Sequence, residues 1–270
     1  MSKKINKKNP LWGGRFEGST DSLTQSFSAS IDIDKELYAV DIKGSIAYAE
    51  ALKEAKVITP KEFQKIKRGL IKILAEIEGE KFEWNESLED VHMNIETALV
   101  RKAGNAAKKI HTGRSRNDQV STDLRMYLSL KIDETLKNIT LLQKSIVKQA
   151  EKHTSSIMPG FTHLQIAQPV TFGHHLMAWY EMLDRDFARL ADAKHRMSVL
   201  PLGSAALAGS RYRINRNFLA KKLGFKSLSR NSIDAVSDRD FVIETASSLS
   251  ILGVHLSRVC EEIVLWSSSQ

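Results

Sequence analysis

The chain has 270 residues, 42% of them hydrophobic and 27% charged, enough to bury a core in one large or two modest domains. Its formal net charge is +8, but Lys3, Lys4, Lys7 and Lys8 supply half of that, and the remaining excess is too small to point to nucleic acid. Cys260 is the single cysteine, which excludes a disulfide framework and a thiol metal cluster, and no apolar run is long enough to cross a bilayer, so a cytoplasmic protein without a membrane partner is expected.

In chain order, the first strong helix signal is Thr59, Pro60 and Glu62, a capping box with proline at the first helical position, opening a stripe through Ile66, Leu70, Ile73 and Leu74. Ser87 and Asp90 are candidate caps for the next helix, SLEDVHMNIETALVRKAG, with Val91, Ile95 and Leu99 on its inner face and Gly104 as its stop. From Arg114 to Met158 there is neither glycine nor proline, and Leu124, Leu128, Ile132, Leu136, Ile139, Leu142, Ile146 and Ala150 recur at helical spacing. The stretch from Leu124 to Ala150 alone spans about 40 Å as a helix, too long for one compact core, so partner helices must cover its stripe. Second and third stripes run Leu176, Tyr180, Leu183, Phe187, Leu190 and Leu249, Leu252, Leu256, Val259, Ile263. No hairpin or alternating strand stands out. The expected fold is all-α: a small helical N-terminal domain, 1–112, followed by an elongated long-helix bundle, 113–270.

Chemistry-bearing residues concentrate where periodicity breaks. HTGRSRNDQ, His111 to Gln119, puts Arg114, Arg116, Asn117 and a glycine in a turn opening the first long helix. Unpaired N–H groups and guanidinium forks suit a carboxylate or phosphate there; the competing reading pairs the arginines with Asp118 and Asp123. MPGFTHLQIAQPVTFGHH offers Thr162, His163, Gln165 and Gln168 between two long helices, with helix capping by His163 as the alternative. LPLGSAALAGS offers backbone donors to an anion through Gly203, Ser204, Gly209 and Ser210. Metal binding is not expected: His174 and His175 are adjacent and point to different helix faces, and His92 with Glu96 supplies only two ligands.

WGGRF (Trp12 to Phe16), SASI (Ser28 to Ile31), EDVHMNIE (Glu89 to Glu96), HTGRSRNDQ, PGFTHLQIAQP (Pro159 to Pro169), LPLGSAALAG (Leu200 to Gly209) and NSIDAVSDRDF (Asn231 to Phe241) together resemble the argininosuccinate lyase family, within the fumarase and aspartase superfamily. The resemblance covers nearly the whole chain. It implies a homotetramer with each active site shared among subunits, and a reversible elimination of argininosuccinate to arginine and fumarate with no metal or organic cofactor. By matching, His163 is the catalytic histidine, acid or base; Ser30, Arg116, Asn117 and Thr162 are donors to the substrate; and Asp90 and His92 line the pocket. For His92 a surface helix pairing with Glu89 and Glu96 competes. The family also uses a serine in a GSSxMPxKxN loop. SSIMPG at Ser155 to Gly160 is not that loop, because Thr154 stands where glycine is expected and no lysine or asparagine follows in register. The resemblance therefore implies an N-terminal fragment, inactive alone. A crystallin-like structural oligomer and a lyase for adenylosuccinate are the alternative functions.

Overall fold

In a computed structural model, residues 21–268 are described; Trp12–Phe16 and the N-terminal lysines fall outside them. The chain divides into two compact units, one running to Ser115 with Ser210–Leu219 added, the other formed by Arg116–Gly209 and the residues from Ala220 onward.

The first unit begins with two short helices, α1 (Ser22–Ser28) and α2 (Ile31–Asp34), followed by α3 (Tyr38–Glu54), α4 (Pro60–Glu78) and α5 (Val91–Ala103). Small residues let α3 sit centrally: Ala47, Ala49 and Ala51 are fully buried beside Tyr48 and Leu52. Helix α4 turns Phe63, Ile66, Leu70 and Ile73 inward, matching its predicted stripe. The capping box is present: Thr59 Oγ1 accepts from Glu62 N–H, Glu62 returns a carboxylate to Thr59 N–H at 2.8 Å, and Pro60 occupies the first turn. Helices α4 and α5 approach closely at Gly69, where an added Cβ would lie 2.7 Å from Leu99 Cδ1. Asp90 caps α5 through Met93 N–H, and Gly104, at φ +62°, ends it, both as the sequence predicts.

Three long helices frame the second unit: α6 (Arg116–Lys152), α7 (Phe172–Met197) and, later in the chain, α10 (Asp240–Trp266). With 37 residues, α6 extends for about 55 Å. Ile132, Ile139, Ile146 and Ala150 of α6 meet Leu176, Leu183, Leu190 and Met197 of α7, with Phe241 and Leu252 of α10 closing the cluster. Arg125, near the start of α6, donates to the Met197 carbonyl at the end of α7 and lies 4.0 Å from the Phe241 ring at the start of α10, so α7 runs antiparallel to both neighbours. The buried Asp186 of α7 is held by Arg189 on one oxygen and His255 Nδ1 of α10 on the other, at 3.0 and 2.6 Å, which satisfies a charge that would otherwise be costly inside the bundle. The α10 stripe is only partly covered: Leu252 is buried, while Leu249, Leu256 and Ile263 remain 43%, 38% and 48% exposed.

Between α6 and α7 the structure departs from the sequence reading. Strands β1 (Ile157–Thr162) and β2 (Gln165–Thr171) form an antiparallel hairpin where only an irregular break was expected. The signal was hidden because Pro159, Gly160 and Pro169 interrupt the alternation, a bulge falls between Pro159 and Phe161, and the turn lacks glycine. His163 and Leu164 instead adopt φ +51° and +60°. Ser155 and Ser156 lie just past α6, as expected, with Ser156 Oγ 3.0 Å from His153 Nδ1. The remaining elements are β3 (Val199–Leu200), paired in parallel with β4 (Ser227–Leu228), and the short helices α8 (Arg216–Leu223) and α9 (Ser232–Ser237). None of the described helices is long and apolar enough to cross a membrane.

Candidate functional site

The candidate residues occupy three places, one in the first unit and two in the second. In the first unit, SASI and EDVH meet. Glu89 sits at φ +64° and ψ −64°, the centre of a tight γ-turn closed by Asp90 N–H on the Leu88 carbonyl at 2.7 Å. That strained conformation aims the Glu89 carbonyl at the N–H groups of Ser30 and Ile31, 2.9 and 3.1 Å away. A second link runs through Asp34, whose carboxylate accepts from Ser30 Oγ at 2.5 Å and from Val91 N–H at 3.0 Å. Ser30 and Asp90 are thus brought together by two residues that sequence reasoning missed, Glu89 and Asp34. Spacing offered one hint, since Asp34 follows Ser30 by a helical turn. Burial pushes the Asp34 carboxyl above its ordinary value, against the two hydrogen bonds that pull it down.

His92 is not a surface residue. It is 3% exposed, and its Nδ1 lies 2.9 Å from Asp41 Oδ1 of α3, a partner 51 residues away. Glu96, the competitor proposed for it, instead meets His111 Nε2 at 2.6 Å. The surface-pair reading of His92 is therefore corrected: the α5 face that carries it points into the core.

The run HTGRSRNDQ is split between the units. Its first half is built into the first unit: Gly113, at φ +72°, has Ser210 Oγ 2.5 Å from where a Cβ would stand, so only glycine fits. Tyr48 donates its hydroxyl to the Thr112 carbonyl at 2.9 Å, and Arg114 lies over the Tyr48 ring and donates to Ser45 Oγ at 3.0 Å. Arg116 and Asn117 begin α6 in the second unit. Arg116 Nη1 is 3.3 Å from Gln119 Oε1, and Asn117 Nδ2 donates to the Ala206 carbonyl at 3.0 Å. Asp118, fully buried, accepts from Gly203 N–H and Ala205 N–H through one oxygen, both at 2.9 Å. Of the loop donors expected to serve a bound anion, Gly203 N–H is thus turned on a carboxylate of the chain itself, while the N–H groups of Ser204 and Gly209 bond the Pro201 and Ser204 carbonyls.

Thr162 and His163 occupy the exposed turn of the β1–β2 hairpin, which leaves the opposite end of α6 from Asn117. Hairpin residues Phe161 and Leu164 border a cavity of about 1300 Å³ whose α7 lining reaches no further than Arg185, midway along that helix. A single second unit therefore keeps the pair Arg116 and Asn117 well apart from Thr162 and His163. His163 does not cap a helix.

A family model described as lyase matches residues 14–270. The argininosuccinate lyase of Methylococcus capsulatus is 55% identical over 260 residues, covering 96% of this chain and 56% of that protein, so the chain spans about half the length of this curated relative. Among solved structures, EDDS lyase in complex with formate superposes with a TM-score of 0.79 at 32% identity, over 88% of this chain and 46% of that one. The fumarate lyase:delta crystallin from Brucella melitensis bound to cobalt gives 0.78 at 18% identity, over 91% and 60% respectively, a likeness of fold. With helices, turns and sequence in agreement over almost its whole length, the chain belongs to the lyase family.

Proposed function

We propose that this chain carries N-terminal binding and catalytic segments of an argininosuccinate lyase, which eliminates arginine from argininosuccinate to leave fumarate. In that reaction a base removes the proton on the carbon beside a carboxylate, and the resulting charge spreads into that carboxylate. The carbon–nitrogen bond then breaks with its electron pair going to the nitrogen, which takes up a proton and leaves on arginine, while the carbanion's pair forms the double bond of fumarate. Fixed donors are needed where charge builds up, and Ser30, Arg116, Asn117 and Thr162 have the right chemistry for that role. His163 supplies an imidazole able to give or take the proton. Asp90 is assigned to the amino-acid side of the substrate, with His92 behind it in its buried position against Asp41. No metal or organic cofactor enters the scheme.

The observation that carries this reading is the separation of Arg116 and Asn117 from Thr162 and His163 along α6. Residues that act on one small dicarboxylate must converge, and segments at opposite ends of a long helix converge when copies of the chain meet. A homotetramer with shared sites meets that requirement, and the 55% identity to an argininosuccinate lyase supports argininosuccinate as the substrate. Such an enzyme serves arginine biosynthesis in the cytoplasm.

The test follows fumarate by its ultraviolet absorbance, using the 270-residue chain and the complete reading frame that contains it. Argininosuccinate should release fumarate with the complete frame and not with the chain alone. Activity on adenylosuccinate in place of argininosuccinate would refute the substrate, and silence on both would favour a structural oligomer.

A further inference from the structure

We infer that Asp118 is a positioning residue for the α6 end of the proposed site, a role that rests on the lyase reading above. The argument starts from Asn117. A side-chain amide rotates freely about its last torsion, so its direction is set by whatever it bonds, here the Ala206 carbonyl at 3.0 Å. That carbonyl belongs to a turn in which Gly203 (φ +98°), Ala205 (φ +53°) and Gly209 (φ +79°) all take left-handed conformations, and a non-glycine residue holds such a conformation only under constraint.

The constraint is Asp118. Its carboxylate, 0% exposed, takes the N–H groups of both Gly203 and Ala205 on one oxygen, and the turn closes through Gly209 N–H on the Ser204 carbonyl at 2.8 Å. A buried carboxyl oxygen that takes two amide donors is among the stronger holds available to a loop. The Ser204 hydroxyl, buried with no partner among the described residues, adds nothing to that hold. Asp118 thus fixes the turn, the turn fixes Ala206, and Ala206 fixes the amide of Asn117.

The experiment has two readouts. In the 270-residue chain, amide exchange at Gly203 and Ala205 should be at least about tenfold faster in Asp118→Ala than in wild type. In the complete enzyme, the same substitution should lower kcat/KM for argininosuccinate about 100-fold per folded molecule, with KM raised, because misplacing a binding group costs on that order. Asp118→Asn, which keeps the shape with a weaker acceptor, should fall between the two. Ser121→Ala, which removes a hydrogen bond to the Ala235 carbonyl from the same helix, should leave kcat/KM unchanged. A purely structural Asp118 would lower the folded fraction and leave KM where it was, and that result overturns the inference. Should Asp118→Ala not fold, an Asp118→Asn enzyme with wild-type exchange and wild-type KM would overturn it equally. Wild-type enzyme silent on argininosuccinate and adenylosuccinate would instead sink the lyase reading, and this one with it.

Discussion

Replacing His163 by asparagine separates what the hairpin turn needs from what the proposed chemistry needs. The backbone at His163 has φ +51° and that at Leu164 has φ +60°, so the turn places two residues with Cβ atoms in the left-handed region. That region costs about 1–2 kcal/mol for an ordinary L-residue and less for asparagine, whose short amide bonds locally. The imidazole is exposed and has no hydrogen-bond partner among the described residues, so little stability is lost with it. His163→Asn is therefore expected to stabilise the hairpin by about 0.5–1 kcal/mol, a rise in Tm of about 2–4 °C at most for a unit of this size. Activity should move the other way. Losing an acid–base group lowers kcat about 10²–10⁴-fold. Thermal unfolding of the 270-residue chain gives the first number, and fumarate release by the complete enzyme gives the second. A destabilised variant would show that the ring holds the turn. A stabilised variant with unchanged kcat would remove His163 from the chemistry.

Three further substitutions test the first unit. Gly69→Ala forces a methyl group against Leu99 Cδ1, 2.7 Å from the added Cβ, and should cost about 1–3 kcal/mol in urea unfolding; a neutral result would mean that α4 and α5 are less tightly apposed. Glu62 pairs with Lys109 and caps Thr59, which together hold its carboxyl at about 2, below its ordinary value of 4.5. A depressed carboxylate stabilises the fold above its unfolded pKa and loses that contribution as pH falls through the folded one, so Glu62→Gln should flatten acid destabilisation between pH 4.5 and about 2. Unaltered acid sensitivity would contradict it. Ser30→Ala removes one of the two hydrogen bonds that pull the Asp34 carboxyl down, so Asp34 should titrate at still higher pH in carbon-detected NMR; a downward move would show that Ser30 is not its donor in solution.

What could be read in the sequence was whatever depends on neighbours within a turn or two. The capping box at Thr59, the stop at Gly104, the Asp90 cap and the three long apolar stripes all rest on contacts between residues a few positions apart, and each is present. What escaped depends on distant partners or on backbone conformation. His92 looked amphipathic because its sequence neighbours Glu89 and Glu96 are acidic, whereas its partner Asp41 sits 51 residues upstream on another helix. The hairpin escaped because His163 and Leu164 are poor residues for a turn with positive φ, and the γ-turn at Glu89 for the same reason. Asp118 was visible as an acid two residues past Arg116, a spacing that suggests an ion pair, whereas its tie to Gly203 and Ala205 is a backbone interaction that no side-chain pattern announces.

The two turns that escaped, at Glu89 and at His163 and Leu164, share a physical origin that bears on function. Among the described residues, six other than glycine are left-handed; Lys56 and Glu80 follow the ends of α3 and α4, and the other four, Glu89, His163, Leu164 and Ala205, lie within or beside segments assigned to the candidate site. Strain of this kind persists only where surrounding contacts enforce it, and two of the enforcing contacts are identifiable: Asp90 N–H on Leu88 for Glu89, and Asp118 for Ala205. The long helices impose no such demand; they supply length. Under the proposed assembly, α6 carries Arg116 and Asn117 at one end and delivers Thr162 and His163 from the other, while the part-exposed stripe of α10, with Leu249, Leu256 and Ile263 uncovered, offers the apolar surface along which copies would meet. Regular helices would then bring the ends together, and strained turns would point the side chains once they arrive.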